Sequence, residues 1–152
     1  MALFFQQRTQ KETQEIINWH YDEPYSFYDI EADKEDLAEF LDPSSWGNSY
    51  VVYDKEDELI GFFSFEQDGG IVEIGLGLRP DLTGQGIGFA FVKEGLAFAR
   101  EQYSPQMFKL AVATFNERAM KVYEKAGFRK VRNFMQATNG GHYEFVEMIQ
   151  ET

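Results

Sequence analysis

Apolar and polar positions fall into blocks along this chain, and the period changes from block to block. Leu3, Phe4 and Phe5 form a short apolar start that reads as a first strand. From Thr9 to Trp19 the pattern is that of a surface helix, with Ile16, Ile17 and Trp19 facing inward and Lys11, Glu12 and Glu15 facing water. Asp33 to Leu41 repeats the helical pattern, with Leu37, Phe40 and Leu41 on one face, and Asp42, Pro43, Ser44 and Ser45 end it. Ser49 to Tyr53 and Leu59 to Phe65 read as strands joined by the charged turn Asp54 to Asp57. Asp68, Gly69 and Gly70 then form a second hairpin turn into the apolar run Ile71 to Leu78.

A second helical block runs from about Gly86 to Glu101. Phe89, Val92, Leu96 and Ala99 make its apolar face, and Lys93, Glu94, Arg100 and Glu101 stack on its wet side. Met107 to Ala113 is the next apolar strand. A strand, a helix and a strand in this order predict a right-handed crossover that leaves the two strands parallel. Asn116 has the character of an N-cap for a helix from Glu117 to Ala126, with Phe115 and Met120 spaced as a hydrophobic staple and Gly127 at the C′ position. Phe128 to Ala137 and Tyr143 to Ile149 read as strands around Thr138, Asn139, Gly140 and Gly141, a hairpin signal. The predicted order is β-α-α-β-β-β-α-β-α-β-β, without internal repeats or low-complexity segments.

Between the run Ile71 to Leu78 and the helix after it lie Gly84, Gly86 and Gly88, at every second position. A strand, a glycine loop and a helix N-terminus make an anion site, because the loop and first-turn N–H groups point one way and the helix dipole adds to them. Glycines leave the backbone open to a phosphate. The spacing excludes a Rossmann fingerprint, since the last glycine of G-x-G-x-x-G falls on Phe89 or Phe91. It also excludes a P-loop, because the sequence contains no Gly-Lys pair. On pattern alone the stretch is either a diphosphate cradle or a glycine turn without a ligand. Gly75 and Gly77, inside the apolar strand, point to a bulge or a close backbone approach.

Composition narrows the classes. The 152 residues fit one domain, 1–152, with a sizeable core, and 43% of them are hydrophobic, including 15 Phe and 8 Tyr. No apolar run reaches membrane length and the N-terminus is too short in apolar residues for a signal peptide, so no membrane association and a cytoplasmic location are expected. The absence of cysteine removes disulfides, thiolate metal sites and a cysteine nucleophile. The net charge of −12 argues against nucleic acid as a partner and suits a cationic substrate, although it also serves solubility. His20 and His142 have no carboxylate spacing that makes a metal site, and no metal is expected. No G-x-S-x-G elbow is present.

Two segments together resemble the GNAT superfamily of acetyl-CoA-dependent N-acetyltransferases. The first runs from Glu73 through the loop Thr83, Gly84, Gln85, Gly86, Ile87 and Gly88. It matches the family's [QR]-x-x-G-x-[GA] pattern except at Thr83, where Gln or Arg is usual. The second is Asn116 to Phe128, with Tyr123 and the pair Gly127 and Phe128. The resemblance implies an α/β fold with a central mixed, mostly antiparallel twisted sheet of about six to seven strands. About four helices flank the sheet, which is splayed at its fourth and fifth strands. It implies acetyl-CoA as acyl donor and a primary amine (a protein N-terminus, a lysine or a small amine) as acceptor, by direct attack. It places pantetheine along Leu76 to Leu78, and the diphosphate on Gly84, Gln85, Gly86 and Gly88 with Thr83 and Phe89 at the edges.

For the chemistry, the amine must be neutral to attack and the leaving thiolate needs a proton. Tyr123 matches the family's general acid. On pattern alone it reads first as a core tyrosine, in the stripe Ala119, Met120, Tyr123 and Ala126. Glu73 matches a glutamate acting as base in many relatives, with a salt-bridged strand glutamate as the alternative. Asn116 either contacts the CoA arm or caps its helix. The aromatic stretch from Trp19 to Tyr28 either walls the acceptor pocket, through Trp19, Tyr25 and Tyr28, or covers the core. A non-catalytic acyl-CoA-binding module of the same fold is the alternative function, and the oligomeric state stays open, a homodimer included.

Overall fold

The computed structural model describes residues 2–152. Seven strands form one sheet: β1 (Phe4–Gln7), β2 (Asn48–Tyr53), β3 (Leu59–Asp68), β4 (Ile71–Leu78), β5 (Met107–Ala113), β6 (Arg129–Thr138) and β7 (Gly141–Glu151). The spatial order is β1-β2-β3-β4-β5-β7-β6. Every neighbouring pair is antiparallel except β4 with β5, which run parallel as the crossover requires. The helices are α1 (Gln10–Ile16), α2 (Lys34–Leu41), α3 (Gly88–Tyr103) and α4 (Glu117–Lys125), with short 3-10 turns in the connections.

Helices α3 and α4 cover one face of the sheet. Phe91, Val92 and Leu96 of α3 and Met120 of α4 close there on Val72 and Ile74 of β4 and on Phe108, Leu110 and Val112 of β5. A smaller core lies on the other side, where Ile16 and Trp19 meet Val51 and Leu59, with Phe40, Ile30 and Phe62 packed against them. Alternation along β4 explains the division. Ile74, Leu76 and Leu78 face the first core, whereas Gly75 and Gly77 face the side chains of Ser64 and Phe62.

The first helix is shorter than its sequence pattern predicts, and Glu12 does not face water. It is 6% exposed. Its carboxylate accepts hydrogen bonds from the Thr9 N–H (2.9 Å), the Thr9 hydroxyl (2.6 Å) and the Tyr53 hydroxyl (2.8 Å). The amphipathic pattern counts Glu12 as polar but carries no signal for a tyrosine far along the chain that consumes its charge. Asp33 also joins distant parts. One oxygen caps α2 by accepting from the Glu35 and Asp36 N–H groups. The other accepts from the Asn139 N–H at 2.7 Å, at the tip of the β6–β7 hairpin.

Burial alone would raise the Glu12 pKa, but the hydrogen bonds from Thr9 and Tyr53 outweigh it and leave the group below its ordinary value. Asp33 is lowered by its hydrogen bonds from the Asp36 and Asn139 N–H groups. A carboxyl depressed in the folded state contributes stability above its unfolded pKa of about 4, and loses it as pH falls through the folded value. The melting temperature is therefore expected to be level from pH 8 to 6 and to drop below about pH 4.5. Part of that drop should vanish in Glu12→Gln. A melting temperature unchanged down to pH 3 would contradict both assignments.

Candidate active site

β4 and β5 pair only over Ile71–Glu73 and Met107–Lys109. Beyond that point they part, β4 staying with β3 and β5 with β7. The edges that face the gap can be read from the ladder. Arg79 N–H donates to the Ile60 carbonyl at 2.8 Å, and Leu78 stands opposite Gly61. Backbone bonding in an antiparallel pair alternates from residue to residue, so Leu76 and Leu78 turn their N–H and C=O groups away from β3 and into the gap. A cavity of about 740 Å³ passes through this split. Its lining runs from Ile16, Trp19 and Phe62 on one side of the sheet to Phe89, Val122 and Lys125 on the other.

The aromatic connection after α1 ties the two lips of the split together. The Tyr21 hydroxyl donates to the Leu78 carbonyl at 2.7 Å, and the Tyr28 hydroxyl accepts from the Ala113 N–H at 3.2 Å. Burial pushes the Tyr21 phenol up, with the Asp29 carboxylate as a second cause. The Tyr28 phenol is also raised, chiefly by burial. Phe115, just before α4, has aromatic neighbours on this connection. Its ring lies among Tyr25, Phe27 and Tyr28 and anchors the same connection.

The glycine loop opens on this cavity. Gly84 and Gly86 have φ of +72° and +82°, the left-handed region that favours glycine. A Cβ at Gly86 would meet nothing within 4 Å, so the space before it is free for a ligand. α3 begins at Gly88 with no acidic side chain in its first turn, which leaves the positive helix end uncompensated. Thr83, the departure from the family pattern, spends its hydroxyl inside the loop, donating to the Pro80 carbonyl at 2.7 Å. The cation comes from α4 instead. A Cβ at Gly84 would lie 3.4 Å from Nη1 of Arg118, and the Arg118 guanidinium sits 4.0 Å from the centre of the Tyr25 ring. Lys121 and Lys125 also line the cavity, and Lys125 Nζ lies 4.5 Å from the centre of the Phe89 ring. Among the described residues none of these three cations makes an ion pair. Sequence reasoning missed them. The available signal was three basic residues spaced three and four apart on the helix that follows Asn116.

Tyr123 lines the cavity from α4. Burial pushes its hydroxyl well above the ordinary tyrosine value, with Tyr28 as a second cause, so the phenol keeps its proton at physiological pH. Asn116 is the helix cap, its Oδ1 accepting from the Ala119 N–H at 3.1 Å. The residue also lines the cavity beside the Tyr28 phenol. α4 ends in a Schellman motif, with Phe128 N–H bonding the Tyr123 carbonyl at 2.9 Å and Gly127 N–H bonding the Glu124 carbonyl at 3.1 Å. Both ends of α4 are therefore pinned, which fixes where Tyr123 points.

Of the residues singled out in the sequence, Leu76, Leu78, Thr83, Gly84, Gly86, Gly88, Phe89, Asn116, Tyr123, Trp19, Tyr25 and Tyr28 all reach the cavity. Two do not. Gln85 turns outward, donating to the Asp81 carbonyl at 2.7 Å. Glu73 lies where β4 and β5 are still paired, faces solvent with its side chain 47% exposed, and stands 3.7 Å from Lys109 Nζ. Its position in an apolar run is met by that ion pair, and no carboxylate or histidine among the described residues lines the cavity. The described residues also contain no group of three His, Asp or Glu side chains able to hold a metal, and no helix is long and apolar enough to cross a membrane.

Gly75 and Gly77 sit in an unbroken register with β3, so neither marks a bulge. Gly77 instead makes room for a neighbour, since a Cβ there would fall 2.3 Å from the Phe62 ring. The ring lies across β4 and forms part of the cavity wall. Gly77→Ala is expected to displace it and to cost about 1–3 kcal/mol, as overpacking does. Denaturant unfolding measures this, and an unchanged midpoint would show that the ring shifts freely.

The acetyltransferase (GNAT) family model matches residues 13–128 of the chain. No curated protein matches it in sequence. Among solved structures, the spermidine N-acetyltransferase from Vibrio cholerae in complex with CoA and spermine is 18% identical, covers 98% of this chain and 95% of its own, and has a TM-score of 0.78. A GNAT-family acetyltransferase from Bacillus anthracis is 17% identical with a TM-score of 0.79, over 99% of this chain and 95% of its own. The match spans the split sheet, the glycine loop and the helix that carries Tyr123, and the chain belongs to the GNAT family of acetyltransferases.

Proposed function

We propose that this chain transfers the acetyl group of acetyl-CoA to a primary amine by direct attack. The observation that carries the reading is the split itself. Two strand edges with free backbone groups open onto a glycine cradle and three unpaired cations, in a chain whose net charge is −12. An amide-rich, multiply anionic donor suits those groups. The backbone of Leu76 and the N–H of Leu78 would hold pantetheine, while Gly84, Gly86, Gly88 and Arg118 would hold the diphosphate.

Acetyl-CoA supplies an activated thioester. The amine nitrogen forms the new N–C bond as the C–S bond breaks. Tyr123, kept neutral by burial, gives its proton to the departing sulfur. With no carboxylate or histidine on the wall, the proton of the amine leaves through water, which also restores Tyr123.

Calorimetry with acetyl-CoA tests the donor half. Saturable binding in the micromolar range is expected, and its absence would refute the reading. In the same experiment Arg118→Ala should weaken binding about tenfold, the loss of one hydrogen bond to a charged group, and more at low than at high salt. Equal affinities at both salt concentrations would remove Arg118 from the diphosphate site.

A further inference from the structure

We infer that the acceptor is a monoamine carried on an apolar body, such as an aralkylamine, and not a polyamine. This rests on the acetyl-transfer reading and adds the substrate class. The half of the cavity on the α1 side of the sheet is walled by Ile16, Trp19, Ile30 and Phe62, with Tyr21 and Tyr28 toward the split. Trp19 and Phe62 lie ring to ring, with centroids 6.3 Å apart. Of the phenols on the split, Tyr21 gives its proton to the Leu78 carbonyl and Tyr28 takes the Ala113 N–H.

No carboxylate among the described residues lines this cavity. An amine that docks near Tyr123 leaves the rest of its molecule against apolar side chains. For a phenyl or alkyl body that contact is favourable. For spermidine it places further ammonium groups in a desolvated pocket whose own wall carries no carboxylate to pair with them. Asp22, Glu23 and Asp81 line a neighbouring recess that shares Tyr21, Tyr25, Thr83 and Arg118 with the cavity, and Asp29 accepts from the Tyr21 N–H at 2.8 Å behind that wall. Two of them are committed there, Glu23 to the Ser26 hydroxyl and Asp81 to the Arg79 guanidinium at 2.7 Å. The acids thus stand behind or beside the wall of the pocket that receives the acceptor, where they draw amines toward it.

The test is a rate comparison on the full chain, with acetyl-CoA binding measured alongside by calorimetry. Free CoA release is followed with 2-phenylethylamine, hexylamine and spermidine. The expected result is a kcat/KM for 2-phenylethylamine at least tenfold above that for spermidine, with hexylamine between them. Ile30→Asp, which places a carboxylate on the wall, should move the ratio toward spermidine by at least tenfold while acetyl-CoA binding is retained. Equal or better turnover of spermidine by the unaltered chain would overturn the inference and leave acetyl transfer standing. Bound acetyl-CoA with none of these amines consumed would overturn it as well. Failure to bind acetyl-CoA would overturn the proposed function and the inference together.

Discussion

Tyr123→Phe is expected to lower kcat by about 100-fold while leaving the Kd for CoA within about twofold of its original value, because the lost hydroxyl serves proton transfer and not binding. The substitution is close to isosteric. The ring keeps its packing against Phe128, where the centroids are 6.1 Å apart, so the fold should be untouched. The pH dependence separates this role from a purely structural one. Burial raises the phenol above its ordinary value, so the tyrosine stays protonated through about pH 10 and turnover should show no alkaline loss below that point. Steady-state rates from pH 6 to 10, with calorimetry on both proteins, decide the matter. An unchanged kcat in the phenylalanine variant would take Tyr123 out of the reaction.

Gly86→Val should abolish useful donor binding, raising the Kd for acetyl-CoA at least about 100-fold. Two causes act together. Gly86 has a φ of +82°, a region in which a β-branched residue is a genuine outlier. The side chain would also project into space where nothing of the protein lies within 4 Å, which is the space assigned to the diphosphate. Because that space is empty of protein, folding pays only the backbone strain of about 1–2 kcal/mol, and the variant should still melt cooperatively. Gly86→Ala should fall between the two proteins. Calorimetry and thermal melting report the two effects separately, and a valine variant that binds like the original would show that the ligand lies elsewhere.

What could be read in advance depended on distance along the chain. The strand, glycine loop and helix from Ile71 onward are encoded by neighbours, as are Asn116 as a cap and Gly127 as a helix stop, and these elements appear where the pattern puts them. Contacts between distant residues were not legible. The pairing of Glu12 with Tyr53, the Phe62 ring over Gly77, and Arg118 beside Gly84 each join segments that no local period connects. Glu73 illustrates the same limit. Its place in the apolar run was visible, but the point at which β5 leaves β4 was not, and that point decides whether the side chain meets the cavity or Lys109. The aromatic connection could be seen as a wall or a cover. It is both, because its tyrosines reach the cavity while Phe27 packs on the buried Phe145.

The two hydroxyl ties across the split have a bearing on self-association. A sheet that opens in its middle creates two raw edges, each a template for an invading strand. Tyr21 occupies the Leu78 carbonyl and Tyr28 the Ala113 N–H, the groups an incoming strand would need near the mouth of the gap. The two hydroxyls thereby cap part of both edges against strand addition at the mouth of the gap.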